Sequence, residues 1–279
     1  MSYMHIDNLC KAKDILAFKS CYAMEKIHGS SAHVSWKDGV LTFFAGGCDH
    51  KSFIALFDEE ALRMRLLALG QPEVVVFGEV YGGKIQGMSK TYGPNMKFIA
   101  FEVKIGSAWL NVTAAEQIVE SLGLEFVHYV NIPTTLDEID AQRDAESIQA
   151  VRNGMGHGHK REGVVLRPPF EVTKNNGERV IAKHKGDDFK ETASKREVSP
   201  DKLKVLSDAD EIAKEWVTPM RLGHVCEGIE IARENIGEII KRMVADIERE
   251  AEGEVDLTLE ARKAIGKEVA LLVKAKTTL

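Results

Sequence analysis

The sequence predicts an α+β protein in two parts, a strand-rich first domain over residues 1–200 and a small all-α domain over 207–279. Three observations carry this. Residues 31–37 alternate polar and apolar, Asp38-Gly39 is a hairpin turn signal, and VLTFF follows, so 31–44 reads as a β-hairpin. Two apolar runs, EVVVFGEVY at 73–81 and KFIAFEVKI at 97–105, read as buried strands. From Ser207 onward every apolar pattern has helical spacing and no strand candidate is left. A chain of 279 residues is long enough for two cores.

The other elements follow in order. The stretch CYAM before Lys26 is strand-like, and DEEALRMRLLALG from Asp58 has helical periodicity, acidic residues in its first turn and Gly70 as a stop. Thr113 with Glu116, and Thr135 with Glu138, have capping-box spacing and each predicts a helix start. Further strands are expected at 124–130, 163–167 and 178–184. A polar linker is expected over 186–206, then SDADEIAKEW, a long helical stretch from Leu222 to Glu250, and LTLEARKAIGKEVALLVKA.

Composition excludes several classes. Hydrophobic residues at 44% and charged residues at 29% are ordinary for a globular protein, and no run of about 18 apolar residues suggests a membrane span. The N-terminus lacks a signal-peptide pattern, and the cysteines Cys10, Cys21, Cys48 and Cys226 form no CxxC pair. The expectation is a cytoplasmic protein, not membrane-bound, with reduced thiols and a monomeric state. Net charge is −6, and from Asp201 onward 13 Lys+Arg stand against 17 Asp+Glu, so the acidic excess falls mainly on the tail. Nucleic acid, if bound, has to be held locally, because a non-specific binder usually carries a basic balance.

Five short motifs then stand in order. Lys26-Ile27-His28-Gly29 presents an amine at the end of an apolar strand, next to a glycine that permits a tight approach. Glu79 lies inside the apolar run VFGEVYG, and lone carboxylates are seldom buried without a partner or ligand. Phe98 and Phe101 lie on opposite faces of an aromatic strand; Glu162-Gly163-Val164-Val165-Leu166-Arg167 puts a carboxylate at the mouth of another. Lys183 and Lys185 share one strand face, where two like charges cost energy unless an anion lies between them. Taken singly, each has a plain structural reading. GGKIQG is no P-loop, and GMGHGH at 154–159 reads as a glycine-rich loop rather than a zinc or dinucleotide site.

As an ordered set the motifs resemble those of the covalent nucleotidyltransferases, the polynucleotide ligases and mRNA capping enzymes, and most closely the RNA ligase 2 family. EKIHG, VFGEVYGGKIQG and the tail words WVT and ENIGEI carry that closer likeness, which covers about Ala23 to Glu238. The resemblance implies an antiparallel-sheet, ATP-grasp-like catalytic domain with an ATP cleft. It implies ATP as cofactor with Mg²⁺ or Mn²⁺, and RNA ends, nicked or annealed, as partner. It also implies a phage or microbial origin. Lys26 maps to the lysine that forms lysyl-AMP. A nucleophile must be a free amine, and positive charge from Lys183, Lys185 and bound Mg²⁺ favours that form and offsets phosphate charge.

By the same resemblance Glu162 is the metal-associated glutamate, Glu79 engages the ribose, and Phe101 stacks on adenine. Glu25 and Ile27 touch the base through backbone atoms, Arg167 occupies a basic position, and His28 positions phosphate or plays a structural part. Two positions depart from the family pattern. Ser31 stands where asparagine is common and Gly46 where arginine is, with Lys51 a candidate substitute for the missing charge. The expected activity is ATP-dependent joining of 5′-phosphate and 3′-hydroxyl RNA ends through lysyl-AMP and an adenylylated 5′-end. The tail is expected to engage nucleic acid through Arg221, His224, Lys241 and Arg242. An ATP-dependent DNA ligase or mRNA guanylyltransferase would append an OB-fold, which the helical tail argues against; a non-catalytic nucleic-acid scaffold is the rival from another class.

Overall fold

The Asp38-Gly39 turn links β2 (Ser30–Lys37) to β3 (Val40–Ala45), with Lys37 opposite Val40. Both turn residues have positive φ, 47° and 85°, as a type I′ hairpin turn needs to match strand twist. The hairpin joins the two apolar runs, β4 (Glu73–Gly82) and β5 (Met96–Ile105), and the short β6 (Ala108–Trp109) in an antiparallel sheet of order β3-β2-β4-β5-β6. The second sheet has order β7-β1-β8-β9, built from β1 (Ser20–Lys26), β7 (Tyr129–Pro133), β8 (Gly163–Arg167) and β9 (Ala182–Lys185).

The computed structural model describes residues 3–194 and 207–277, and the chain divides into two units, 1–186 and 187–279. The linker expected over 186–206 lies outside the described residues from 195 on. In the first unit the sheets share a core that includes Met24, Ile27, Val76, Tyr81, Ile99, Val103 and Val119. Its helices are α1 (His50–Ile54), α2 (Glu59–Ala68), α3 (Ser89–Tyr92), α4 (Val112–Ser121), α5 (Leu136–Arg143) and α6 (Ile148–Arg152). Asp58 caps α2 by accepting from Ala61 N–H, and Thr135 caps α5 by accepting from Glu138 N–H, the latter as its capping-box spacing predicts.

Three expectations about element boundaries in the first unit need correction. The cap of α4 is Asn111, which accepts from Ala114 N–H at 2.9 Å; Thr113 lies inside the helix and its hydroxyl bonds Asn111. Asparagine competes well as an N-cap and sits two residues earlier. The strand expected at 124–130 begins only at Tyr129, because residues 125–127 pair with the other sheet's backbone at a single residue, through Ala100 N–H to Glu125 O and Val127 N–H to Ala100 O. The strand expected at 178–184 begins only at Ala182, because the Val180 N–H turns away to Val172 O.

The second unit is all helical among its described residues apart from short connections: α7 (Ala209–Trp216), α8 (Pro219–Val225), α9 (Ile236–Glu250) and α10 (Leu259–Lys276). The stretch expected as one helix from Leu222 to Glu250 is broken after α8, where Gly228 adopts φ 73°. Ile239, Met243 and Ile247 on α9, and Ala261, Ile265, Val269 and Val273 on α10, are spaced one turn apart and form the core with Ile212, Trp216 and Leu222. Arg221 is not a surface contact for phosphate. It is 1% exposed and ion-paired to Asp246 and, at 3.5 Å, to Glu191. Arg242 donates to the Glu227 carbonyl at 3.1 Å, while His224 stands 3.3 Å from Glu191. No described helix is long and apolar enough to cross a membrane.

Candidate active site

Strand register brings the motifs together. Gly163, the first residue of β8, lies opposite Lys26 at the end of β1 on one side and opposite Lys185 at the end of β9 on the other. Residues directly opposite point to the same face, so both ammonium groups project from the same edge of this sheet. Glu162, just before β8, closes the group. Its Oε2 accepts from Lys26 Nζ at 2.8 Å and lies 3.3 Å from His28 Nδ1, and its Oε1 lies 3.2 Å from Lys185 Nζ. Gly163 has φ 151°, and a Cβ there would stand 2.1 Å from the His184 carbonyl, which is why glycine must follow the glutamate.

Glu162 is 2% exposed, and burial alone would raise its pKa. Lys26, Lys185 and His28 outweigh that and hold the carboxylate well below its usual range. A carboxylate depressed by folding contributes stability above its unfolded value of about 4.3, and that stability is lost as pH falls through the folded value. Denaturant unfolding across pH should therefore show Glu162→Gln at its largest deficit above about pH 4.3, converging on the parent chain as pH drops further. A deficit independent of pH would show that Glu162 is not ionised in the fold.

The loop from Lys26 to Gly29 is held from β4 and α3. The Glu79 carboxylate accepts from Gly29 N–H at 3.1 Å, and Tyr92 Oη accepts from His28 N–H at 3.3 Å. A Cβ on Gly29 would meet the Val80 carbonyl at 2.3 Å, so the spacing of lysine to glycine records this close approach. Ser31 lies directly opposite Glu79, so the two share a face, with Ser31 exposed. Ile27 is 5% exposed and belongs to the core. Glu25 alternates to the opposite face from Lys26, where it accepts from the Ser147 hydroxyl at 2.6 Å and from the Ile148 and Gln149 N–H groups at the start of α6. Burial pushes its pKa up despite those donors. The side chains of Glu25 and Ile27 thus anchor the strand in the interior.

Lys183 is 8% exposed, two residues back from Lys185 on the same strand face, and its backbone pairs with the segment at Asp7 and Leu9. Phe101 is the extra residue of a bulge, since Ala100 opposes Gly78 and Glu102 opposes Phe77; bulges re-aim a side chain. Tyr3 stands edge-on to its ring at 5.0 Å. Tyr3 also donates to Glu102; burial, reinforced by Glu102, raises its phenol well above the ordinary value, so it stays a donor.

Arg167, expected among the nucleotide contacts, is placed elsewhere. It lies opposite Tyr22, four residues along β8 from Gly163, and is 1% exposed. Its guanidinium pairs with Glu102 at 2.9 Å and with Glu171, and donates to the Leu110 carbonyl at 2.6 Å, clamping one sheet to the other. Arg179 completes this cluster on Glu102 and Glu171. Lys51 is exposed on α1. Tyr3, Tyr92 and Ser147 carry no signal in the sequence that would mark them, because each acts through a partner at least 60 residues away.

Comparison with known proteins agrees with this geometry. The RNA ligase family model matches residues 19–185, more than half of the chain. Among solved structures, a Naegleria gruberi RNA ligase with PPi matches at TM-score 0.52 and 17% identity, over 68% of this chain and 57% of the ligase. Point mutants of the same ligase match with ATP and Mn at TM-score 0.52 and 15% identity, and with AMP and Mn at 0.51 and 15%, over the same shares of each chain. The match thus spans little more than half the length of that ligase. No curated protein matches the sequence significantly. Match extent and motif order together show that the chain belongs to the RNA ligase family, as an RNA ligase 2-like nucleotidyltransferase.

Proposed function

We propose that the protein is an ATP-dependent ligase that joins RNA 5′-phosphate and 3′-hydroxyl ends. The observation that carries this is the convergence of Lys26 and Lys185 on the buried Glu162, which puts a nucleophilic amine beside a cationic partner. The two antiparallel sheets, linked at the nucleophile loop where Glu79 accepts from Gly29 N–H, support the ATP-grasp-like arrangement. In the first step Lys26 Nζ attacks the α-phosphorus of ATP, an N–P bond forms, the P–O bond to pyrophosphate breaks, and Nζ gives up a proton. AMP then passes to a 5′-phosphate, and a 3′-hydroxyl displaces it.

Glu162 orients the ammonium at 2.8 Å; held well below the carboxylate range, it is too weak a base to be the final proton acceptor. Lys185 and Lys183 face the phosphates and offset their charge in both transfer steps. Glu79 on β4 and Ser31 on β2 engage the ribose and Phe101 stacks on the base in this reading, which the register of Ser31 opposite Glu79 supports for the first pair. A divalent cation fits Glu162, a hard and buried oxygen donor; Mg²⁺ usually binds through one or two carboxylates plus substrate phosphates. Bound there, it would neutralise phosphate charge and share the carboxylate with Lys26. ATP, AMP, PPi and Mn in the Naegleria structures support this choice of ligands. Incubation with labelled ATP, GTP and NAD tests the reading: a covalent adduct from ATP alone is expected, and no adduct from ATP would overturn it.

The motif residues from Lys26 to Lys185 all belong to the unit that ends at Gly186. A chain truncated after residue 206 is therefore expected to form lysyl-AMP yet lose most sealing of nicked RNA, because sealing also requires two ends held in line, worth roughly 7 to 11 kcal/mol. Comparing single-turnover adduct formation with nick sealing checks this. Equal sealing by the truncated and full chains would remove any substrate role for the helices.

A further inference from the structure

The glycine-rich loop at 152–160 and the loop and short helix at 82–97 are two segments that the steps above leave unused. Neither contains an aspartate or glutamate, although the chain carries a net charge of −6. Between them they present Lys84, Lys90, Lys97, Arg152 and Lys160, all exposed. The two are joined into one surface: Lys97 Nζ donates to Asn153 Oδ1 at 2.8 Å, and Asn153 Nδ2 donates to the Tyr92 carbonyl at 3.0 Å. Met155 Sδ lies against Gly93. Acidic groups reach the surface at its margin, where Glu125 stands 3.6 Å from Arg152 and Glu146 lies 3.0 Å from His157 and accepts from Gly158 N–H at 3.0 Å.

This surface adjoins the nucleophile loop. Tyr92, the last residue of α3, accepts from the backbone N–H of His28, two residues after Lys26 and itself in contact with Glu162. At Gly154, Gly156 and Gly158 a Cβ would meet nothing within 4 Å, so open space lies beside this stretch of the loop. We infer that the surface formed by residues 82–97 and 152–160 is the docking rim for the phosphodiester backbone of the RNA being sealed. This rests on the ligase reading above. An acidic protein repels RNA at long range, so its binding energy must come from a local cationic patch, and this one borders the reacting lysine. Phosphate contacts hold register and orientation without reading sequence, as a nick sealer needs.

The test uses the full chain, nicked duplex RNA and a salt series, with adduct formation from ATP as an independent readout. The combined variant Lys84→Ala, Lys90→Ala, Lys160→Ala should form lysyl-AMP within about twofold of the parent while binding RNA at least tenfold more weakly. Its plot of log affinity against log salt should be shallower by about 0.9 for each phosphate it no longer neutralises. The corresponding Lys→Arg variant should keep both affinity and slope. Unchanged affinity and slope in the alanine variant would overturn the docking rim and leave the ligase reading intact. Failure of the parent chain to form an adduct would overturn the ligase reading instead, with RNA affinity still reporting on the rim. Should the combined variant fail to form the adduct, the same salt series on Lys84→Ala and Lys160→Ala singly decides the matter.

Discussion

Replacing Lys26 with alanine is expected to abolish adduct formation from ATP and every sealing reaction that begins with ATP. The amine is the atom that bonds phosphorus, so no neighbour at its strand end can replace it. Lys185 lies on the far side of Gly163 and meets the other oxygen of Glu162. A second substitution separates chemistry from packing. Lys26→Arg keeps a cation against the buried Glu162 carboxylate, so the fold retains its ion pair, but a guanidinium stays protonated and cannot attack. Both variants should still seal RNA whose 5′-end already carries AMP, because the last step needs no lysine nucleophile. Gel analysis with labelled ATP and with pre-adenylylated RNA measures the two halves separately. ATP-driven sealing by either variant at the parent rate would disprove the role of Lys26.

Lys185→Ala is expected to slow adduct formation by about 10²- to 10³-fold, the usual loss when one preorganised charge contact to a transition state is removed. The side chain is 12% exposed, so water cannot readily replace its charge. Its removal also takes away one of the two lysines that hold Glu162 ionised, which compounds the effect. Lys185→Arg keeps the charge and changes the geometry, so partial recovery there would assign the loss to electrostatics. Rapid-quench measurement of lysyl-AMP at saturating ATP is the check. A rate within about twofold of the parent for Lys185→Ala would contradict the phosphate role, since such a change corresponds to well under 1 kcal/mol.

The substitutions differ in how far sequence alone could place them. The strand ends at Lys26, Gly163 and Lys185 are readable because an apolar run starts or stops there beside a charge or a glycine. The pairing of Lys26 with Glu162 spans 136 positions and is invisible to any local pattern. Arg167 shows the limit from the other side. Its place in the motif suggests a ligand contact, and only the other sheet, whose β5 brings Glu102 within 2.9 Å, reveals a clamp between sheets. Arg221 in the second unit repeats this: a cation that reads as surface in sequence is buried against Asp246 and Glu191.

The sequence by itself determined which segments are strands and helices wherever local physics suffices: the I′ turn at Asp38-Gly39, the caps at Asp58 and Thr135, and the one-turn spacing of Ile239, Met243 and Ile247. It also determined the order of the motif residues and hence the family. The tertiary structure alone decided the start of β7, the bulge that re-aims Phe101, and the cluster around Glu162. It also decided the joining of two acid-free loops into one basic rim. The division follows from range. Turns, caps and periodicity depend on neighbours within a few residues, whereas register, burial of charge and the joining of distant loops depend on contacts that exist only once both sheets have formed.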